Sequence, residues 1–227
     1  MINLNQEWIK PKKPIPIIIF GAGSIVNDAH LPAYEKSGFK VLGIYDPDIE
    51  KAQNLATKFN LDIFHSLEEA IDQQNVIFDL ATPPEVHAKI LEILPEKSGV
   101  LIQKPMGSNL DEATKILEIC NARSLKAAVN FQLRFAPMMI ALKDAINCGL
   151  LGKIVDFDAW LALDTPWSLW KFLENLPRVE ILLHSIHYFD FIRSILGNPN
   201  GVKAKTLGFP GKKTCLLYTS PSPRDKR

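Results

Sequence analysis

The sequence predicts an α/β protein, with a doubly wound parallel sheet followed by the opening of an α+β domain. Three observations predict it. Short apolar runs alternate with longer amphipathic segments, the connections between them are short, and the alternation stops after Phe131. Strand–helix alternation with short connections is typical of a parallel sheet covered by helices.

The first half of the chain supplies six predicted strands and the helices between them. Ile15–Phe20 is almost wholly apolar, as expected for a strand covered on both faces. The other predicted strands are Lys40–Tyr45, Asp62–Phe64, Val76–Ala81, Val100–Ile102 and Lys126–Asn130. The predicted helices are the segment from the glycine turn to Ser37, Ile49–Phe59, Ser66–Gln73, the segment that opens with Thr82-Pro83-Pro84-Glu85, and Leu110–Ala122.

Two of these helices begin with capping signals. Ser66 and Glu69 form a Ser-x-x-Glu capping box at the start of one helix. Thr82 is predicted to be the N-cap of the helix after the fourth strand, because prolines follow it and Glu85 stands three residues on.

The second half of the chain has a pattern typical of an α+β domain. Its predicted elements are a helix at Pro137–Cys148, a long strand at Ile154–Leu163, a helix at Glu180–Leu196 and the beginning of a strand at Val202–Leu207. Trp160, Trp167 and Trp170 cluster near the long strand. A core cluster is the favoured interpretation of these rings, and the aromatic wall of a sugar site is the alternative.

Composition and charge exclude several classes of function. The chain has 227 residues, a formal net charge of +1 and 47% hydrophobic residues, which is ordinary for a soluble protein without a nucleic-acid partner. Its apolar runs are too short to cross a bilayer and its polar N-terminus lacks a signal core, so we expect a cytoplasmic protein without a membrane partner. The three cysteines have no metal-ligand spacing, so reduced thiols and no metal are expected.

A glycine-rich turn stands between the first strand and the first helix and reads Gly21-Ala22-Gly23-Ser24-Ile25. Gly21 permits a tight turn, and Gly23 lets the backbone approach a pyrophosphate at the helix N-terminus. Val26 stands at the third position of the pattern, where a small residue is usual. The strand before the turn and the helix after it favour a dinucleotide site over a simple turn.

Asp46 ends the second predicted strand, roughly 25 residues after Gly21, near the place of the acid that binds the ribose. A carboxylate there accepts hydrogen bonds from the adenosine hydroxyls and repels a 2′-phosphate, and Asp48 adds negative charge. NAD is therefore expected as the cofactor, rather than NADP. The alternative is that Asp46 is only a turn residue before Pro47.

Four segments match one family in order: GAGSIVNDAHLPAY, ATPPEVHAKIL, VLIQKPMGSNLDEA and NFQLRFAPM. They resemble the glucose–fructose oxidoreductase/inositol dehydrogenase (Gfo/Idh/MocA) family, and EILLHSIHYFDFIRSILGNP resembles its substrate-side helix. The resemblance runs from about Ile15 to Lys205. It implies a Rossmann domain followed by a domain with a large open, mostly antiparallel sheet, which would be incomplete here. It also implies a homo-oligomeric parent and reversible hydride transfer between a small sugar or polyol and the nicotinamide.

The resemblance implies that Lys104, in Gln-Lys-Pro after the fifth strand, is the catalytic lysine and contacts both cofactor and substrate. A lowered pKa would let Lys104 take the proton of a hydroxyl group. Gln103, counted with the cofactor-binding residues, stands where the family commonly has Glu. A neutral amide can orient the ammonium but cannot raise its pKa. The alternative is an ordinary surface lysine.

The family's second catalytic element is usually an Asp four residues before a His on a helix. His187 matches the His, but Leu183 stands at the Asp position. Glu180, His184 and His187 share one predicted helical face. We expect His187 to be the proton-transfer or substrate-hydroxyl partner of Lys104, with His184 assisting, although each could be a packed core histidine.

Other candidate site residues also come from the resemblance. The loop beside the cofactor matches Ala81, Thr82, Pro83 and His87, of which His87 is expected to serve structure. Asn130 resembles a residue of the nicotinamide pocket. Arg134 resembles a substrate-pocket residue, with a salt bridge at a helix start as the alternative.

The chain is expected to divide into an N-terminal arm (1–14), a Rossmann domain (15–131), a partial α+β domain (132–214) and a tail (215–227). The tail matches a reading frame through a sequencing-library adapter, so we expect the natural frame to be interrupted near Thr214. Such a fragment is expected to bind NAD weakly at best and not to turn over substrate. Alternative functions are NAD-assisted glycoside hydrolysis and non-catalytic NAD binding, the latter motivated by Leu183 and Gln103.

Overall fold

A computed structural model describes residues 2–162, 179–208 and 216–219 of the chain. The chain forms two compact units. The first unit is Lys10–Asn130, and the second unit combines Met1–Ile9 with Phe131–Arg227.

The first unit is built on a six-stranded sheet with the order β3-β2-β1-β4-β5-β6. Its strands are β1 (Ile17–Phe20), β2 (Val41–Tyr45), β3 (Asp62–Ile63), β4 (Ile77–Leu80), β5 (Gly99–Ile102) and β6 (Lys126–Val129). All neighbouring strands pair in parallel, which confirms the predicted doubly wound sheet. The strand order reverses between β1 and β4, and ligands of such sheets bind in the crevice outside the carboxyl ends at this point.

Helices cover both faces of this sheet. They are α1 (Leu31–Ser37), preceded by a π-helical turn (Val26–His30), α2 (Ile49–Phe59), α3 (Leu67–Ile71), α4 (Pro84–Ile93) and α5 (Leu110–Ala122). The side chains of β1 alternate between two hydrophobic clusters, with Ile17 and Ile19 in one and Ile18 and Phe20 in the other. This alternation explains the unbroken apolar run, since both faces of β1 are buried.

One predicted cap is confirmed and the other is wrong. Ser66 Oγ accepts a hydrogen bond from the Glu69 N–H (3.1 Å), so Ser66 caps α3 as predicted. The N-cap of α4 is Pro83, not Thr82. A residue before proline is held out of the helical region, and Pro83 precedes Pro84 and adopts ψ 148°. The helix therefore begins one residue later than the sequence predicts.

The second unit contains four helical segments and two strands among its described residues. They are a 3₁₀ turn (Gln132–Phe135), α6 (Pro137–Asn147), a π-helical turn (Ile181–Ser185), α7 (Ile186–Leu196), β7 (Lys205–Gly208) and β8 (Leu216–Thr219). The helix predicted at Glu180–Leu196 is confirmed, with the π-helical turn near its start. The strand predicted at Val202–Leu207 appears as β7, which pairs antiparallel with β8. Strand β8 falls within the tail expected to derive from an adapter.

The long strand predicted at Ile154–Leu163 is wrong over the part that the structure describes. Residues 154–162 have no strand conformation. A strand is stabilised by hydrogen bonds to a neighbouring strand, and in the described parts of this unit β7 and β8 pair only with each other. Trp160 is 93% exposed, so it is not part of a core, and Trp167 and Trp170 lie outside the described residues.

The described residues also show what the helices and the polar side chains do not form. No helix there is long and apolar enough to span a membrane. No group of three or more His, Cys, Asp or Glu side chains comes together there as a metal site would require. Cys120 is buried and Cys148 is exposed, and both are free thiols.

Candidate cofactor and active site

The two glycines of the loop after β1 have different surroundings. Gly21 has φ +107°, and a Cβ at this position would lie 2.4 Å from the carbonyl oxygen of Ala81. Only glycine fits such a position. Gly23 is exposed, and a Cβ placed on it would meet no atom within 4 Å. The loop is therefore tight at Gly21 and open at Gly23.

The open side of the loop lies at the start of a helix, which begins at Ser24 and continues through the π-helical turn into α1. The first N–H groups of a helix have no partner within the helix, and together with the helix dipole they attract anions. Ser24 and Ile25 are exposed at this end. The space beside Gly23 thus fits a pyrophosphate group bound by backbone N–H groups.

Asp46 lies directly beside the glycine loop. Its Oδ2 accepts a hydrogen bond from the Ala22 N–H (2.7 Å), and its Oδ1 accepts one from the Asp48 N–H (2.8 Å). The bond to Asp48 agrees with the turn interpretation, and the bond from Ala22 holds the carboxylate beside the glycine loop. Ribose binding by Asp46 stays a prediction. Asp48 caps α2 and binds Lys51, and hydrogen bonds from Lys51 lower the pKa of Asp48.

The loops after β4 and β5 are joined by His87, which is fully buried. Its ring nitrogens lie 3.0 Å from the carbonyl oxygens of Thr82 and of Met106. Burial lowers the pKa of His87, although both of these hydrogen bonds oppose the shift. These contacts support the expected structural role of His87. In the loop after β4, Thr82 is bound by His87, and the next residue, Pro83, is the N-cap of α4.

Lys104 follows β5, at the carboxyl edge of the sheet. Burial lowers the pKa of Lys104 below the ordinary value of a lysine. A lowered pKa increases the share of neutral amine, which is the form that can accept a proton. The backbone N–H of Lys104 donates to Gln103 Oε1 (2.8 Å), so the amide of Gln103 is oriented by the residue that follows it.

The first unit contains a buried polar network, here called the His30 network, that was not predicted from the sequence. Its members are His30, Tyr34, Asp79, Gln103 and Asn130. His30 Nδ1 lies 2.7 Å from Asp79 Oδ2, which also accepts a hydrogen bond from the Tyr34 hydroxyl (2.8 Å). His30 Nε2 lies 3.2 Å from Gln103 Nε2 and 3.4 Å from Asn130 Nδ2. Gln103 and Asn130, both expected to bind the cofactor, thus contact a histidine that follows the glycine loop.

A signal for this network was present in the sequence. Asp79 stands inside the otherwise apolar β4, and a charged residue in a doubly covered strand requires buried partners. By contrast, the position of His30 in the sequence does not indicate that it has a buried partner. Its pairing with Asp79 spans 49 residues and is apparent only in the fold.

The second unit holds the remaining candidates. His184 Nδ1 lies 2.8 Å from Glu180 Oε2, so a carboxylate orients this imidazole. His187 is buried, with its ring edge-to-face against Phe131 at 6.1 Å between centroids. Arg134 forms an ion pair with Asp190, and its Nε lies 2.8 Å from Asp190 Oδ2.

The structure groups the candidates by unit. The glycine loop, Asp46, Lys104 and the His30 network belong to the first unit, and His184, His187 and Arg134 belong to the second. The joint action of Lys104 and His187 therefore stays a prediction.

A parallel sheet of this order, a glycine loop before its first helix and an acid after β2 define a dinucleotide-binding protein of the Rossmann type. Residues 15–131 match the profile of the Gfo/Idh/MocA family, described as an oxidoreductase family with an NAD-binding Rossmann fold. The chain belongs to this family, and the resemblance seen in the sequence is confirmed. The family consists of NAD(P)-binding oxidoreductases.

Individual relatives agree with this assignment. An uncharacterized oxidoreductase of Synechocystis sp. is 26% identical over 205 residues, which cover 86% of this chain and 54% of that protein. Glucose-6-phosphate 3-dehydrogenase of Bacillus subtilis is 29% identical over 139 residues, or 60% of this chain and 39% of that protein. The crystal structure of a putative myo-inositol dehydrogenase from Sinorhizobium meliloti superimposes with a TM-score of 0.72 at 20% identity, covering 87% of this chain and 60% of that one. The chain spans about half the length of the curated relatives that it matches.

Proposed function

We propose that this chain binds NAD(H) and belongs to an enzyme that transfers a hydride between a hydroxyl-bearing carbon of a sugar, polyol or related compound and the nicotinamide. The observation that carries the proposal is Lys104, whose pKa is lowered by burial at the same sheet edge as the glycine loop and Asp46. A proton acceptor at the carboxyl edge of a dinucleotide-binding sheet is what oxidation of a hydroxyl group requires.

The residues of the first unit fit the cofactor. The N–H groups at Gly23, Ser24 and Ile25 would hold the pyrophosphate, in space that a Cβ on residue 23 would fill. The Asp46 carboxylate, oriented by Ala22, would accept the hydroxyls of the adenosine ribose. Negative charge at Asp46 disfavours a 2′-phosphate, so NAD is preferred to NADP.

Proton transfer is assigned to Lys104. The nicotinamide, when bound, supplies the hydride acceptor or donor. The neutral amine of Lys104 takes the hydroxyl proton during oxidation, and its ammonium returns that proton during reduction. The buried surroundings of Lys104 favour the neutral form that the first of these steps needs.

The second unit is assigned to the substrate. His187 is proposed as the second proton-transfer or hydroxyl-binding group, and His184 assists while Glu180 holds its ring. A carboxylate bound to one imidazole nitrogen sets the tautomer of the ring and fixes its orientation. Arg134, held by Asp190, is proposed to lie at the substrate side of the pocket.

The cofactor proposal is tested by calorimetric titration of the chain with NADH and NADPH. We expect NADH to bind at least tenfold more tightly. Asp46→Ser should remove most of this difference, and Asp48→Ser is the matched control that should leave it intact. Equal affinity for both cofactors in the wild-type chain would overturn the preference for NAD.

The redox proposal is tested by NADH formation with a panel of polyols and sugars. In the enzyme to which this chain belongs, the wild type should reduce NAD, and Lys104→Met should lower the rate at least a hundredfold without loss of NAD binding. Leu183 at the expected Asp position favours a second candidate, a protein that holds NAD without turnover. That candidate is supported if wild type and Lys104→Met bind NAD and are equally inactive.

A further inference from the structure

The contacts of the His30 network are sufficient to assign the ring proton of His30. Gln103 Oε1 faces the backbone N–H of Lys104, which can only donate. The other end of the same amide, Nε2, therefore faces His30 Nε2 as a donor (3.2 Å). His30 Nε2 must then be the acceptor, and the ring proton must lie on Nδ1, toward Asp79.

Two members of the network share one acceptor atom. Asp79 Oδ2 accepts hydrogen bonds from His30 Nδ1 and from the Tyr34 hydroxyl. Burial, followed by the neighbouring Asp79 carboxylate, raises the pKa of Tyr34, which keeps the phenol a donor. Asp79 Oδ2 is thus the acceptor shared by both donors, on the Nδ1 side of a ring whose Nε2 accepts from Gln103.

We infer that Gln103 and Asp79 are a pair of positioning residues, each suited to the other through the ring of His30. The only carboxyl group of the network is at position 79, and the amide at position 103 binds the backbone of Lys104. This inference rests on the proposed role of Lys104. It assigns a function to Gln103, whose Nε2 donates to His30 and whose Oε1 accepts from the backbone N–H of Lys104. A carboxylate at position 103 cannot donate to His30 Nε2. It can bind the ring only if Nε2 carries a proton and becomes the donor.

The groups that face His30 limit what can change. They are the Asp79 carboxylate from β4, the Tyr34 phenol from α1, and the neutral amides of Gln103 and Asn130 after β5 and β6. With Gln103→Glu the ring lies between two carboxylates and is expected to become the doubly protonated imidazolium. In the double variant Asp79→Asn and Gln103→Glu, the carboxyl group faces Nε2 of His30 instead of Nδ1. The ring proton is therefore expected on Nε2 rather than on Nδ1.

The experiment is ¹⁵N NMR of the full chain with labelled histidine at pH 7, because nitrogen shifts distinguish both neutral tautomers from imidazolium. His30→Gln identifies the signals of His30 by their loss. Wild type and Asp79→Asn should show the Nδ1–H tautomer, Gln103→Glu the imidazolium, and the double variant the Nε2–H tautomer. Asp79→Asn is the matched control, because it removes the charge and leaves Gln103 in place.

Thermal unfolding provides a second measurement. Gln103→Glu should lower the unfolding temperature, and adding Asp79→Asn should recover at least half of the loss, although a single Asp79→Asn change is itself destabilising. If Gln103→Glu does not fold, a folded double variant supports the pairing. An imidazolium or Nε2–H ring in the wild-type chain would overturn the inference, as would additive effects of the two substitutions. These readouts do not depend on cofactor, so a failure to bind NADH would reject the proposed function and leave this result standing.

Discussion

At the scale of single residues, the two glycines of the loop can be separated by experiment. Gly21→Ala places a methyl group 2.4 Å from a backbone oxygen at a positive φ, so we expect a loss of about 2 to 5 kcal/mol in the free energy of unfolding. Gly23→Ala meets no neighbouring atom, so its stability should change by less than about 0.5 kcal/mol. Its new methyl group occupies the space proposed for the pyrophosphate, and NADH affinity should fall at least tenfold.

Urea unfolding and calorimetric titration of both variants test this division. The Gly23→Ala variant is the informative one, because it separates binding from folding. A stable variant that still binds NADH as wild type does would remove the phosphate site from this loop.

The pH dependence of stability should carry a contribution from His87. Burial lowers the pKa of His87 below its ordinary value of 6.5, so the folded state disfavours the charged ring. Below pH 6.5 the unfolded state binds more protons at this ring than the folded state does. The free energy of unfolding therefore decreases as the pH is lowered, until the pH reaches the lowered pKa of the folded state. Each unit by which the pKa is lowered corresponds to about 1.4 kcal/mol.

The measurement is urea unfolding of wild type and His87→Gln from roughly pH 5 to 8, the range in which histidines titrate. The difference in stability between the two should shrink as pH falls, because only wild type must protonate this ring on unfolding. His65→Gln is the control, since His65 is exposed. A difference that is constant across this range would contradict the prediction.

Which residues the sequence could predict depends on how local their signals are. Gly21 and Asp46 are recognisable because each directly follows a predicted strand, and parallel strands bring their carboxyl ends to one edge. Lys104 was singled out by the family resemblance of the Gln-Lys-Pro segment, two residues after the predicted fifth strand. The contacts of His30 with Asp79 are not local. They depend on how the first helix lies against β4, which no spacing in the sequence reports.

At the scale of elements, α5 offers a test of helix capping. Asn109 Oδ1 accepts a hydrogen bond from the Glu112 N–H (2.9 Å), and Glu112 Oε2 accepts one from the Ser108 N–H (2.7 Å). Asn109→Ala removes the first bond and should cost about 1 kcal/mol, whereas Asn109→Ser should retain most of the stability. Urea unfolding measures both. Equal losses in the two variants would show that the side-chain cap is not what stabilises the start of α5.

The elements were predictable to different degrees for physical reasons. The six strands of the first unit were found because most of them are short, largely apolar runs bounded by turn residues and separated by helical patterns. The prediction of a strand at Ile154–Leu163 was wrong over the described residues. A strand needs a neighbouring strand to bond with, and an apolar run in the sequence does not show whether such a strand is present. The start of α4 was misplaced by one residue because the restriction that Pro84 imposes on Pro83 outweighs the capping tendency of Thr82.

At the scale of the whole molecule, the chain consists of two compact units, and the proposed cofactor residues belong to the first. Units with their own internal contacts need not unfold together, and a ligand stabilises only the unit whose folded state it binds. We therefore expect two transitions in a calorimetric unfolding experiment on the full chain. Saturating NADH should shift one of them.

The expected shift can be estimated from linkage. At a NADH concentration of 100 times the Kd, the stabilisation is about 2.7 kcal/mol, which is large enough to move the transition of Lys10–Asn130 by several degrees. Because its affinity for NADH is expected to fall at least tenfold, the Gly23→Ala variant should gain at most about half of this stabilisation at the same NADH concentration. If wild type instead unfolds in a single transition that NADH shifts as a whole, the two units are energetically coupled. The second unit would then have to be counted as part of the cofactor-binding fold.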